Sequence, residues 1–164
     1  MALREYVSLL AKVPLFEGVP PAHLQALVFS AERRTLAPGE WIIRQGEKDE
    51  TGWLLLAGSA SAHDAPADAD EETLKRHLVA RLSRGAFIGE MAMVAGLEHR
   101  LSVRAETSVN ALRLPRALFL RACTEFPEFG QQVLANALSR FSLSMAELDG
   151  VRRLFEEARS FSDK

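Results

Sequence analysis

Residues 85–103 read GAFIGEMAMVAGLEHRLSV. The run opens with strand-like Ala86 to Ile88 and turns at Gly89. One acid, Glu90, follows at once. Met91 to Ala95 then form a short apolar stretch of helical character, and a polar turn leads to His99 and Arg100. Beyond it Leu101, Val103 and Ala105 alternate with Ser102, Arg104 and Glu106, the period of a half-buried strand. A strand, a glycine turn, one helical turn and a second strand within twenty residues point to a β-rich fold with a brief helical interruption. Such a segment is either an ordinary surface connection or an anion-binding pocket with an acid set beside it.

The pattern on the N-terminal side supports the same fold class. Met1 to Leu15 reads as an amphipathic helix limited by Pro14, with Leu3, Val7, Leu10 and Ala11 on one face. A second helix follows the Gly18–Pro20 turn, with Pro21 suited to its first position and Leu24, Leu27 and Val28 on one side. The chain then changes character. Short apolar runs, Trp41 to Ile43 and Trp53 to Leu56, are cut by Gly39, Gly46, Gly52 and Gly58. Such spacing suits a sandwich or roll rather than alternating strand–helix units. The acidic stretch DAPADADEET, residues 64–73, reads as an exposed, mobile loop, and strands resume at Leu78 to Leu82.

After Pro115 the chain reads as helical. PRALFLRACTEF, residues 115–126, is one short helix, and Pro127 opens a longer one. In the longer one Leu134, Leu138, Phe141, Met145 and Leu148 recur at steps of four and three, which is either the seam of a homodimer or a face packed on the chain's own roll. The expected organisation is one unit. Entry helices occupy residues 1–29, a mainly β jelly-roll-like roll residues 30–114, and C-terminal helices residues 115–164.

Bulk properties narrow the function. The 164 residues carry a formal net charge of -2, so no broad basic field exists for nonspecific nucleic-acid binding. The N-terminus does not read as a secretory leader, and no stretch approaches the roughly 20 apolar residues that span a bilayer. A cytoplasmic setting without membrane contact is the expectation. The single cysteine, Cys123, has apolar neighbours and reads as a buried core residue. Histidines at 23, 63, 77 and 99 show no ligand spacing on one strand, so no metal is expected. No phosphate-binding P-loop and no nucleophile with an adjacent base stand out, which argues against an enzyme.

Taken in order, the segments resemble the cyclic nucleotide-binding domain family, the sensor modules of catabolite activator-type regulators, kinase regulatory subunits and nucleotide-gated channels. The stretch LLAKVPLFEGVPPAHLQALVFSAERRTLAPGEWIIRQGE is similar to the family's entry helices and first strands. GWLLLAGSASA resembles its central strand, LSRGAFIGEMAMV its phosphate-binding cassette, and VRAETSVNALRLPRALF its closing strands and hinge helix. The resemblance implies an eight-stranded roll with helices at both ends, and a non-enzymatic sensor of cyclic AMP or cyclic GMP that needs no cofactor. It further implies a relay through the C-terminal helices to an unknown downstream protein. Only VRRLFEEARSFSDK follows Gly150, too short for a helix-turn-helix, so no DNA binding is expected of these residues alone.

The cassette supplies what a cyclic nucleotide needs. Such a ligand has one anionic phosphodiester and one free 2'-hydroxyl. Gly89 admits close backbone approach, and the amides of Met91 and Ala92 suit an anion. By resemblance Glu90 accepts from the ribose hydroxyl. The family's cassette continues to an arginine, small residues and a valine. Setting Val103 as that valine puts His99 at the arginine position, and a small loop shift restores Arg100. The expected ligand-binding set is therefore Gly89, Glu90, Met91, Ala92, His99, Arg100, Leu101 and Ser102, with the choice between His99 and Arg100 for the phosphate open. A roll that binds no nucleotide and serves in dimerisation or docking is the alternative.

Overall fold

The computed structural model of the chain describes residues 2–140, together with Arg153 and Glu156. Helix α1 (Ala2–Ala11), a 3₁₀ turn at Pro14–Phe16 and α2 (Pro21–Ser30) lead into strands β1 (Glu32–Leu36), β2 (Trp41–Ile43), β3 (Thr51–Ala57) and β4 (Ala60–His63). Helix α3 (Glu71–Arg76) follows, then β5 (Leu78–Leu82), β6 (Phe87–Ile88), α4 (Glu90–Ala95), β7 (Ser102–Ala105), β8 (Val109–Pro115), α5 (Arg116–Glu125) and α6 (Pro127–Arg140). The expected mainly β roll with helices before and after it is observed.

The eight strands form two antiparallel four-stranded sheets, ordered β1-β8-β3-β6 and β2-β7-β4-β5. Strand β3 explains how the sheets and helices share one core. It lies between β8 and β6, and its residues from Thr51 to Leu56 are all buried. Trp53 and Leu55 belong to the core between the sheets, with Ile43, Val103 and Ala111. Leu54 and Leu56 belong to the other core, which the helices cover. Alternation along one strand thus feeds two hydrophobic layers. In the helical layer Phe129 stacks on Phe16 at 6.3 Å and meets Phe119 edge-on at 5.8 Å, and Phe16 meets Phe87 of β6 at 5.6 Å. Each such pair is worth about 0.5–1.5 kcal/mol beyond its burial. The chain joins the entry helices to the strand that precedes Gly89.

Proline marks the helix starts as the sequence suggested. Pro21 and Pro127 occupy first helical positions, and Pro115 directly precedes α5.

One expectation needs correction. The acidic stretch is not a free loop, because its end forms α3. Asp70 accepts a hydrogen bond from the Thr73 amide at 2.7 Å, and this bond holds its carboxyl below the usual carboxylate range. Glu71 grips Arg104 with two hydrogen bonds, at 2.7 and 3.1 Å, while Leu74 and Ala65 are buried.

Of the five seam residues, Leu134 and Leu138 lie among the described residues. Leu134 is fully buried within the chain's own helical core, while Leu138 is 47% exposed. Phe141, Met145 and Leu148 lie outside the described residues. Gly130 in α6 leaves room for Cys123. A Cβ there would lie 3.0 Å from the Cys123 sulfur, and burial pushes that thiol up to about 12. Among the described residues no helix is long and apolar enough to cross a membrane.

Candidate functional site

The site is built around the turn between β6 and α4. Gly89 has φ +78, in the left-handed region. A Cβ at this position would lie 2.4 Å from the Thr51 carbonyl oxygen and 3.0 Å from Cε1 of His99. Glycine is therefore required twice, by conformation and by space. Met93 N donates to Gly89 O at 3.1 Å as α4 begins, and Gly96 N donates to Ala92 O at 3.0 Å as it ends. The following loop is held against the β2–β3 connection. Gly46 N donates to His99 O at 2.8 Å, and His99 N donates to Glu47 O at 3.2 Å.

These elements enclose a cavity of about 360 Å³, within the range of small-molecule sites. Ile43, Ala62 and Val103 line it from one sheet. Ala80 and Leu82 of β5 and Phe87 and Ile88 of β6 extend this apolar wall. Its polar groups are Glu90 from α4, Glu98, His99 and Arg100 from the loop, and Arg140 from the end of α6. A second, open depression of about 540 Å³ lies against the same loop and is lined by Gln45, Lys48, Glu98, His99 and Arg100.

Glu90 is the group whose state the site most alters. Its side chain is only 15% exposed, and its Oε2 has no hydrogen-bond partner and lies 3.6 Å from Nη1 of Arg140. Burial raises its pKa, and Arg140 opposes the rise. A buried carboxylate oxygen without a donor is costly, and a ligand hydroxyl placed against it would lower that cost.

His99 is different. Its side chain is 1% exposed, and its Nε2 stands 3.8 Å from Oδ2 of Asp49, beyond hydrogen-bond distance. Burial lowers its pKa, with Asp49 and Glu47 pulling the other way. The ring is thus neutral near pH 7. Arg100, by contrast, is exposed and lines both cavities, a guanidinium with five N–H donors.

Seven of the eight expected ligand-binding residues line the 360 Å³ cavity: Gly89, Glu90, Met91, Ala92, His99, Arg100 and Leu101. Ser102 is not among them. It is fully buried, its hydroxyl donates to Ala65 O at 2.6 Å, and it accepts from Gln45 N at 3.0 Å. Sequence reasoning missed Arg140, because nothing local connects it to a turn fifty residues earlier. It also missed the apolar wall from β4 and β5. Among the described residues no group of histidine, cysteine or acidic side chains could hold a metal.

Comparison with known proteins gives a consistent picture. Residues 33–126 match the model of the family described as the cyclic nucleotide-binding domain. The chain is 34% identical over 134 residues to a cyclic nucleotide-gated potassium channel of Mesorhizobium japonicum, covering 81% of this chain and 34% of that one. It is 30% identical over 118 residues to a cAMP-dependent protein kinase regulatory subunit of Emericella nidulans, covering 72% of this chain and 27% of that one. The chain thus spans about a third or less of the length of these relatives. Among solved structures, the N-terminal domain of a transcriptional regulator from Streptomyces coelicolor shares the fold with a TM-score of 0.70 at 21% identity, covering 80% of this chain and 91% of that one. A cyclic nucleotide-binding-like protein from Brucella abortus gives a TM-score of 0.63 at 25% identity, covering 72% and 97%.

Proposed function

The chain belongs to the cyclic nucleotide-binding domain family, and on that premise we propose that its 360 Å³ cavity takes a cyclic purine nucleotide, cyclic AMP or cyclic GMP, and acts as a sensor rather than a catalyst. The observation that carries this reading is the buried Oε2 of Glu90, which accepts no hydrogen bond and has only the Arg140 ion pair at 3.6 Å beside it, in a cavity also lined by Arg100. A cyclic nucleotide offers one free hydroxyl, one monoanionic phosphodiester and one flat, largely apolar base. Glu90 accepts from the hydroxyl. Arg100 supplies two parallel donors and a fixed charge for the phosphate. Ile43, Ala62, Ala80, Leu82 and Val103 offer the base an apolar wall.

The same geometry supplies a route for the signal. Arg140, at the end of α6, faces Glu90 at 3.6 Å. A ribose hydroxyl arriving at Glu90 changes the field that Arg140 meets, so ligand and α6 become coupled through one carboxylate. The coupling moves α6 only to the extent that ligand binds one arrangement better than the other. The unknown downstream protein would read this shift.

A thermal-shift comparison with cyclic AMP, cyclic GMP and linear AMP tests the reading. A cyclic nucleotide at about 100 times its dissociation constant adds about 2.7 kcal/mol of stability. Linear AMP is expected to add far less. No shift with either cyclic nucleotide at millimolar concentration would leave the docking-module alternative.

A further inference from the structure

We infer that Gln45 is a positioning residue of this site: its side-chain amide holds the Arg100 carbonyl and the Asp64 carboxylate at once, and so fixes the loop that presents Arg100. The inference rests on the nucleotide reading of the cavity. Gln45 follows β2 and is half-buried. Its Nε2 donates to Arg100 O at 2.8 Å and to Asp64 Oδ1 at 2.8 Å. One amide nitrogen carries two hydrogens, so both bonds are satisfied together. Its own backbone N donates to the Ser102 hydroxyl at 3.0 Å, and that hydroxyl donates to Ala65 O at 2.6 Å.

These bonds bring three separate segments together. The β2–β3 connection contributes Gln45, the β4–β5 connection Asp64 and Ala65, and the loop entering β7 Arg100, with Ser102 opening that strand. On the cassette side, the neighbouring backbone bonds from Gly46 N to His99 O and from His99 N to Glu47 O survive any change of side chain. The Gln45 side chain, by holding the Arg100 carbonyl, restrains the plane of the peptide that follows Arg100. Restraining that peptide limits the backbone freedom of Arg100, and with it the positions its guanidinium can reach. The ordered β4–β5 connection, with α3 folded onto its sheet, keeps Asp64 in reach. The acidic stretch thus serves as an outer brace for the phosphate loop.

The two donors define the variants. Gln45→Met keeps the shape and removes both donors. Gln45→Glu also places a carboxylate against Asp64. The experiment is calorimetric titration of the wild type and both variants with cyclic AMP and cyclic GMP, together with their thermal midpoints without ligand. Arg100 Nε–H resonances are recorded at saturating nucleotide. The expected result is affinity reduced about 3- to 10-fold by Gln45→Met, more by Gln45→Glu, with midpoints nearly unchanged, because both bonds are exposed. The Arg100 resonance, moved by nucleotide in the wild type, is expected to shift less in Gln45→Met. A purely structural role would lower the midpoint and leave the saturated Arg100 resonance as in the wild type. Affinity and resonance both unchanged in Gln45→Met, with the wild type binding, overturn the inference alone. A wild type that binds neither nucleotide overturns the nucleotide reading and this inference with it.

Discussion

Gly89→Ala attacks the turn on which the cavity is built, and its cost follows from the geometry. The residue sits at φ +78, where an L side chain costs about 1–2 kcal/mol. The added Cβ would lie 2.4 Å from Thr51 O, a backbone atom of the central strand β3, and 3.0 Å from the buried His99 ring. Neither neighbour moves freely, because Thr51 is paired with Pro115 in the sheet and His99 is held at both its amide and its carbonyl. Forcing an atom into such a contact costs a further 1–3 kcal/mol or so. The total is about 2–5 kcal/mol, a fall of roughly 5–15 °C in thermal midpoint for a chain of this size. Gly39→Ala is the control. Gly39 has φ +89, but a Cβ there meets nothing within 4 Å, so only the conformational part, about 1–2 kcal/mol, is expected. Calorimetric or circular-dichroism melting of both variants decides the matter. Equal losses in the two would show that the contact with Thr51 and His99 costs nothing, and the described packing of the turn would be wrong.

Other outcomes are equally specific. Folding raises the pKa of Glu90, so the folded chain holds its proton more tightly than the unfolded one, and stability is lost as pH rises from the unfolded value of about 4.5 through the raised one. Glu90→Gln is therefore expected to stabilise the ligand-free protein at pH 7, by up to about 1 kcal/mol after the loss of the Arg140 contact, with no gain below pH 4; destabilisation at pH 7 in melting curves would contradict this. His99 shows the opposite linkage. Its folded pKa is lowered, so stability falls as pH drops from about 6.5 through the lowered value, and its ring resonances should titrate below 6.5 without ligand. If Arg100 holds the phosphate, affinity stays nearly flat from about pH 6 to 8.5, whereas a protonated His99 would make binding tighten steadily toward low pH. Hydrogen exchange tests the relay: nucleotide should change protection in α5 and α6, and equal protection with and without it would remove those helices from the signal.

Much of the fold was legible because its signals are local. Proline placed the helix starts at Pro21 and Pro127, and alternation from Leu101 to Glu106 placed β7. Helix α3 was missed although its signals were present: Asp70 as cap, Glu71 and Glu72 in the first turn, Lys75 and Arg76 in the last. Six residues are too few for a hydrophobic period to show, and composition suggested a loop. The cassette's own residues were legible for the same local reason, since Gly89 to Leu101 is one continuous run. Arg140 and Gln45 were not, because they enter the site only after the sheets close and α6 folds back. Nor was the burial of His99, which arises from its fit between Gly89 and Asp49, the latter fifty residues away in sequence.

The central claim is that Glu90 receives a cyclic nucleotide's ribose hydroxyl, and calorimetric titration of the wild type and Glu90→Ala with cyclic AMP and cyclic GMP tests it most directly. One-to-one binding of at least one of them by the wild type is expected, weakened by about 1.5–3 kcal/mol in the variant, the worth of a hydrogen bond to a charged group. That loss corresponds to roughly 10- to 150-fold in affinity. Absence of binding by a folded wild type, or identical affinity in Glu90→Ala, would contradict the claim.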